Sequence, residues 1–223
     1  MCHKVFIALA VFSLLFSVAG CADTFTKKDN SIDLLATGLA GWEVVNGPAD
    51  TWKFEGGVLY TDGSIERHGS WLSTKQQYSD FLLELEFNIS KAGNSGVFIR
   101  APRTGDPAYE GMEIQIMDDR AEGLENLKPW QFTGAVYDVA APGQRVTKKA
   151  KEWQTMVIYC KDNIVRVQIN GNEVVHLDLN DAQSKSGRPH PGLQRPEGYI
   201  GFQNHKSPVK FRNIRITDLS LQL

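Results

Sequence analysis

Between Phe81 and Ile89 every second residue is apolar: Phe81, Leu83, Leu85, Phe87 and Ile89 alternate with Leu82, Glu84, Glu86 and Asn88. Side chains two apart in an extended chain share a face, so this stretch buries its apolar half only as a strand with one face on a core. The same period runs through Trp153 to Lys161 and Ile164 to Asn170, joined at Asp162-Asn163, a dipeptide that tolerates the left-handed backbone of a tight hairpin. A second turn at Asn170-Gly171-Asn172 leads into Glu173 to Leu179, which predicts a three-stranded meander. Tyr199 to Phe202 and Val209 to Leu219 bracket the polar connection Gln203 to Pro208. Helical periodicity is weak outside the first residues. An all-β fold, two antiparallel sheets packed as a sandwich, is what buries so many half-apolar strands.

The first residues read as an export signal. Lys4 precedes an apolar run from Val5 to Val18, which is short for a permanent membrane span. The run ends in Val18-Ala19-Gly20-Cys21, which resembles the lipobox of bacterial lipoproteins. That resemblance implies a signal peptide over residues 1–20, lipidation of Cys21, a tether over residues 21–32 and a folded domain over residues 33–223. An ordinary secretory peptide with an incidental cysteine is the alternative. Ala22-Asp23 after the cysteine lacks the inner-membrane retention signal, so the expected address is the outer membrane or periplasm if the source is Gram-negative. Of three cysteines only Cys160 then remains, a strand residue with no activating neighbour, and no disulfide forms within the mature domain.

About two hundred residues suffice for one large sandwich domain. A formal net charge of −2 with scattered lysines and arginines gives no basic stripe, which argues against a nucleic-acid partner. No internal repeat or low-complexity tract is evident.

The chemistry concentrates between Gly93 and Asp119. In Met112 to Met117, Glu113 and Gln115 share one face while Met112, Ile114 and Ile116 take the other, so one side is apolar and the other polar. Arg100, ending GNSGVFIR, is expected to stand beside Glu113 if the two strands are neighbours. Asn94-Ser95-Gly96 reads first as a turn opening that strand. The strand Glu-x-Gln-x-x-Asp also differs from the carboxylate-rich strand of retaining glucanases. Gln115 is an amide there, and strict alternation puts Asp118 on the wrong face unless a β-bulge intervenes near Met117.

The segments GWEVVNGPADTWKFEGGVLYT, SWLST, YSDFLLELEFNISKAGNSGVFIR, YEGMEIQIMDD, TGAVYDVAAP, KEWQTMVIYCKDNIVRVQINGNEVV and GYIGFQNHKSPVKFRNIRI resemble, in order, the 3-keto-disaccharide hydrolase family. The resemblance runs from about Asp33 to Leu219 and implies a concanavalin A-like jelly roll acting on glycosides oxidised to a ketone at sugar carbon 3. Such a ketone acidifies the hydrogen on C2. A base then forms the enolate, the C1 substituent leaves by β-elimination, and water adds to the enone, giving net hydrolysis.

For that route Glu113 or His205 is the expected base, Arg100, Gln115 and Gln203 the partners of the enolate oxygen, and Asp118 a candidate acid or ligand-binding residue. Asn94, Tyr109, Trp130 and Tyr137 are expected to border the cleft, the aromatic rings by stacking on sugar; Phe132 lies in the same loops. Trp42, Trp52, Trp71 and Trp153 read as core, and His68, His176 and His190 as surface or structural. No cofactor is predicted. Glu113, Asp118, Asp119 and His205 could gather a divalent cation, but no spacing decides it. The expected partners are a carbohydrate substrate, a bacterial membrane through the lipid, and a glycoside 3-dehydrogenase that makes the ketone. The rival readings are a non-catalytic carbohydrate-binding module or lectin, and a glucanase-like glycoside hydrolase.

Overall fold

Among the residues that the computed structural model describes, 30–64 and 70–220, the chain forms thirteen strands, one four-residue helical turn and short 3-10 turns. The expected signal peptide, Cys21 and His68 lie outside the described residues. The strands are β1 Ile32–Asp33, β2 Trp42–Val45, β3 Lys53–Glu55, β4 Val58–Thr61, β5 Ser70–Tyr78, β6 Phe81–Ile89, β7 Asn94–Ala101, β8 Met112–Met117, β9 Gln154–Lys161, β10 Ile164–Ile169, β11 Asn172–Asp178, β12 Gly198–Asn204 and β13 Val209–Asp218, with α1 at Pro107–Glu110. They build two antiparallel sheets. One runs β11-β10-β9-β6-β13-β4-β3 with β1 added on β13, and the other runs β2-β5-β12-β7-β8.

The meander β9-β10-β11 turns where the sequence asks it to. Asp162 has a φ of 50°, and Asn170 and Gly171 have φ of 50° and 78°, the left-handed values a tight hairpin needs. The odd residues of β6 are buried between the sheets as the alternation requires. Aromatic rings lock one sheet on the other. Phe202 of β12 stacks on Phe211 of β13 at 4.2 Å between centroids, with Trp42 at 5.4 Å from Phe202 and Trp52 at 6.2 Å from Phe211.

Trp42, Trp52 and Trp71 are buried as expected, Trp71 against Phe98, Val45, Ala101 and Ala108 in a smaller core cluster on the outer face of the five-stranded sheet, and Trp153 departs from the expectation. Trp153 is half-buried and carries the guanidinium of Arg212 over its ring at 4.1 Å. Cys160 is buried, and burial pushes its thiol up to about 12, which leaves it without thiolate at neutral pH.

The outer face of the five-stranded sheet positions the site. Its edge strand β8 pairs with β7 in unbroken register, Glu113 opposite Phe98, Gln115 opposite Gly96 and Met117 opposite Asn94. Directly opposed residues project from the same face, so all six side-chain positions look outward. The free edge of β8 is covered by the segment that follows. Gly134 N–H donates to Gln115 O, Gln115 N–H to Ala135 O, and Tyr137 N–H to Glu113 O, all between 2.9 and 3.0 Å.

Candidate active site

Glu113 is the unusual residue on that face. It is 4% exposed, and its Oε1 is buried with no hydrogen-bond partner. Burial, with the negative charge of Asp106 adding to it, pushes the carboxyl up to about 8. Room for it comes from Gly96 on the neighbouring strand. A Cβ on Gly96 would lie 2.7 Å from Glu113 Cγ and 2.8 Å from Cδ, so the carboxyl leans over a glycine that has no side chain. The Asn-Ser-Gly triplet, expected as a turn, is therefore the start of β7, and its glycine serves close approach. The turn lies just before it, where Ala92 has a φ of 52°.

Around Glu113 opens a cavity of about 450 Å³ lined by Asn94, Gln115 and Gln203 on the sheet, by His205 just past the end of β12, by Tyr109 of α1, and by Asp106, Tyr137 and Arg188 from loops. Ala108, Met117, Leu127 and Gln131 complete it. The amide of Gln115 is oriented by its Nε2, which donates to Asn94 Oδ1 at 2.8 Å. Gln203 Oε1 is a second buried acceptor without a partner. Tyr137 stands edge-on to Tyr109 at 6.2 Å, Gln131 Nε2 donates to its hydroxyl at 3.4 Å, and burial raises its phenol. These are hydrogen-bonding groups and flat rings around one unpaired carboxyl, a lining suited to a sugar.

Seven expected site residues thus meet in one cavity: Glu113, His205, Gln115, Gln203, Asn94, Tyr109 and Tyr137. Three do not line it. Arg100 sits in a β-bulge: Ala101 pairs with Tyr199 and Phe98 with Gly201, so Ile99 and Arg100 together face Ile200, and Arg100 takes a φ of 46°. Its guanidinium leaves the Glu113 face and is buried at the end of the sandwich. There it donates to Ser79 O at 2.9 Å, Asp162 O at 3.0 Å and Asp80 at 3.2 Å. The expected Arg100–Glu113 pairing is corrected accordingly. Arg100→Lys should lower stability by about 2 kcal/mol, because an ammonium cannot reproduce that fork, while turnover changes less than threefold. A denaturation curve and a rate assay on the same preparation check this, and a hundredfold rate loss would return Arg100 to the site.

Asp118 is also placed elsewhere, since β8 carries no bulge that would turn it to the face of Glu113. Its carboxylate accepts from Ala92 N–H at 3.0 Å and Arg120 N–H at 3.2 Å, closing the turn between β6 and β7. Trp130 is half-buried in the turn whose next residue, Gln131, reaches the cavity instead. Phe132 is buried, with the guanidinium of Arg145 3.4 Å above its ring. Asp119, one of the acids that could have gathered a cation, accepts from Thr133 N–H and Oγ1 and from Thr147 Oγ1. Among the described residues no three His, Cys, Asp or Glu side chains gather as a metal site.

Asp106 and Arg188 are the charged cavity residues that sequence reasoning missed. Asp106 is legible as a helix start: its Oδ1 accepts from Ala108 N–H at 3.2 Å, with Pro107 in the first helical position. Its Oδ2 accepts from Arg188 Nη2 at 2.8 Å, across 82 residues of sequence. No spacing announces that pair. The loop bearing Arg188 is fixed by Asp138, 1% exposed, whose carboxylate accepts from Ser184 Oγ, Ser186 Oγ and Ser186 N–H at 2.7–2.8 Å. Lys185 N–H donates to Asp138 O at 2.7 Å.

Comparison with known proteins adds four findings. Residues 31–217 match the family described as 3-keto-alpha-glucoside-1,2-lyase-like domain. A 3-keto-disaccharide hydrolase of Bacteroides thetaiotaomicron is 27% identical, with 74% of this chain and 69% of that protein covered. A crystal structure of a candidate glycosyl hydrolase from Parabacteroides distasonis superposes with a TM-score of 0.74 at 30% identity, covering 86% of this chain and all of that one. The carbohydrate-binding module CBM66 of Bacillus subtilis shares the fold alone, with a TM-score of 0.51 at 13% identity over 78% of this chain and 93% of the module.

Proposed function

Because the chain belongs to the family of 3-keto-alpha-glucoside-1,2-lyase-like domains, we propose that it cleaves 3-keto-glycosides by elimination across C1–C2, with Glu113 as the base. The observation that carries this reading is the buried, unpartnered carboxyl at the centre of a polar, sugar-sized cavity. A carboxyl raised to about 8 is a far stronger base than one in water, and a C2 hydrogen beside a ketone needs one. A carboxylate paired for structural reasons would have a cation against it, whereas Glu113 has burial and a second negative charge.

Electrons and protons balance as follows. Glu113 takes the C2 proton, the C2–H electron pair forms C2=C3, and the carbonyl electrons move to the C3 oxygen. As the enolate collapses the ketone re-forms, the C2=C3 pair becomes C1=C2, and the C1–O bond breaks with its pair on the leaving oxygen, which takes a proton from His205. Addition of water across the enone completes a hydrolysis. Elimination followed by hydration brings together a family described as a lyase and a relative named a hydrolase. The substrate is then the product of a glycoside 3-dehydrogenase, and Cys21, if lipidated, holds the domain at a bacterial membrane surface.

The test uses a glycoside and its 3-keto derivative side by side. Purified protein should release the aglycone from the ketone at least a thousandfold faster than from the parent. Equal rates on both would replace elimination with ordinary glycosidase chemistry. Binding without turnover of either would favour a carbohydrate-binding module.

A further inference from the structure

The cavity is a line of three stations along the strands. Rows of outward-facing residues follow one another about every 7 Å, twice the rise per residue of a strand. The middle row is Gln115 and Gly96, with Gln203 beside them because it follows Phe202, the partner of Val97. Here the Glu113 carboxyl lies over Gly96. Towards the chain terminus of β8 come Met117, Asn94 and His205. At the other end α1 lies over Phe98 and Ala101, bringing Asp106, Ala108 and Tyr109, with Arg188 joined to Asp106.

In the sugar, C2 stands between C1 and C3. With the base at the middle station, the leaving group on C1 and the ketone on C3 point to opposite ends of the line. The ends differ in chemistry: one offers an imidazole, which can release a proton, and the other a guanidinium, which cannot. Resting on the reading of the site given above, we propose that Arg188 is a catalytic residue that donates to the C3 oxygen as it becomes an enolate, opposite a leaving group protonated from the His205 end.

Arg188 suits the task for three reasons. Among the described residues lining the cavity it is the one guanidinium or ammonium, so it brings a fixed positive charge to where negative charge develops. Its position is set beforehand: the guanidinium lies 3.6 Å above the Tyr109 ring centroid, Asp106 holds Nη2, and its loop is fixed through Ser184, Lys185 and Ser186 to the buried Asp138. Its side chain still keeps 50% of its surface exposed, and a guanidinium has five N–H donors, so Asp106 leaves it able to serve a ligand. Asp106, Asp138 and Tyr109 are positioning residues in this scheme.

Exchange of the C2 hydrogen with solvent isolates the enolisation from the departure of the aglycone. The probe is a 3-keto sugar with no substituent on C1, incubated with the protein in D2O and followed by NMR, alongside cleavage of a 3-keto-glycoside. Wild type should do both. Arg188→Ala should lose at least a hundredfold in both rates, with partial recovery in Arg188→Lys or on adding guanidinium ion. His205→Gln should keep exchange and lose cleavage. If Arg188→Ala keeps exchange and loses only cleavage, Arg188 serves the leaving group and the proposal is overturned; unchanged rates in Arg188→Ala overturn it equally. Wild type inert in both assays would instead defeat the 3-keto reading itself.

Discussion

Glu113→Gln should reduce cleavage of a 3-keto-glycoside by at least a thousandfold while making the protein more stable at alkaline pH. The loss follows from removing the base, for which two to four orders of magnitude are usual. The gain follows from linkage. The carboxyl ionises near its ordinary 4.5 when unfolded and near 8 when folded. Between those values the folded state holds a proton that the unfolded state has released, so wild-type stability falls as pH rises through that window and levels off above it. The amide carries no such dependence. The variant should therefore match wild type near pH 4 and exceed it by about 3–5 kcal/mol above pH 8. Wild-type kcat/KM should rise with pH as Glu113 ionises towards about 8. Chemical denaturation of both proteins at pH 4, 6 and 8.5, with rates for each, measures all three. A variant that is inactive and less stable at every pH would make Glu113 a structural residue.

Gly96→Ala should lower turnover about a hundredfold and cost 1–3 kcal/mol of stability, although the glycine has no left-handed φ to lose. The new methyl occupies the space of the Glu113 carboxyl, and an ångström of displacement suffices to spoil a proton transfer. Coupling distinguishes this cause from a general disturbance of β7. In a Glu113→Ala background the three atoms nearest the methyl, all of Glu113, are gone, so the stability cost of Gly96→Ala should largely vanish. A full cost persisting in the double variant would separate the glycine from the carboxyl and weaken the whole site geometry.

How far the sequence reached is visible in individual residues. Glu113 and Gln115 share a face because strand periodicity is strictly two, and β8 has no bulge to break it, which is also why Asp118 falls outside. Arg100 obeys the same rule on paper and escapes it in the molecule. Tyr199 to Gly201 spans one residue fewer than Phe98 to Ala101, and the extra residue is turned out of the face. The cation that does reach the cavity, Arg188, comes from an irregular loop pinned by Asp138, and neither residue belongs to any period.

By itself the sequence determined the class of fold and the two-faced strand that carries the carboxyl and amide, because alternation and turn chemistry are local and written in consecutive residues, and its motifs carried the resemblance to the family. The tertiary structure alone decided which charges meet. It took Arg100 away, set Arg188 and Asp106 opposite His205, and raised the carboxyl of Glu113 by burying it over a missing side chain and within reach of the Asp106 charge. Burial and long-range pairing are properties of the assembled sheets, and no neighbouring residue in the chain encodes them.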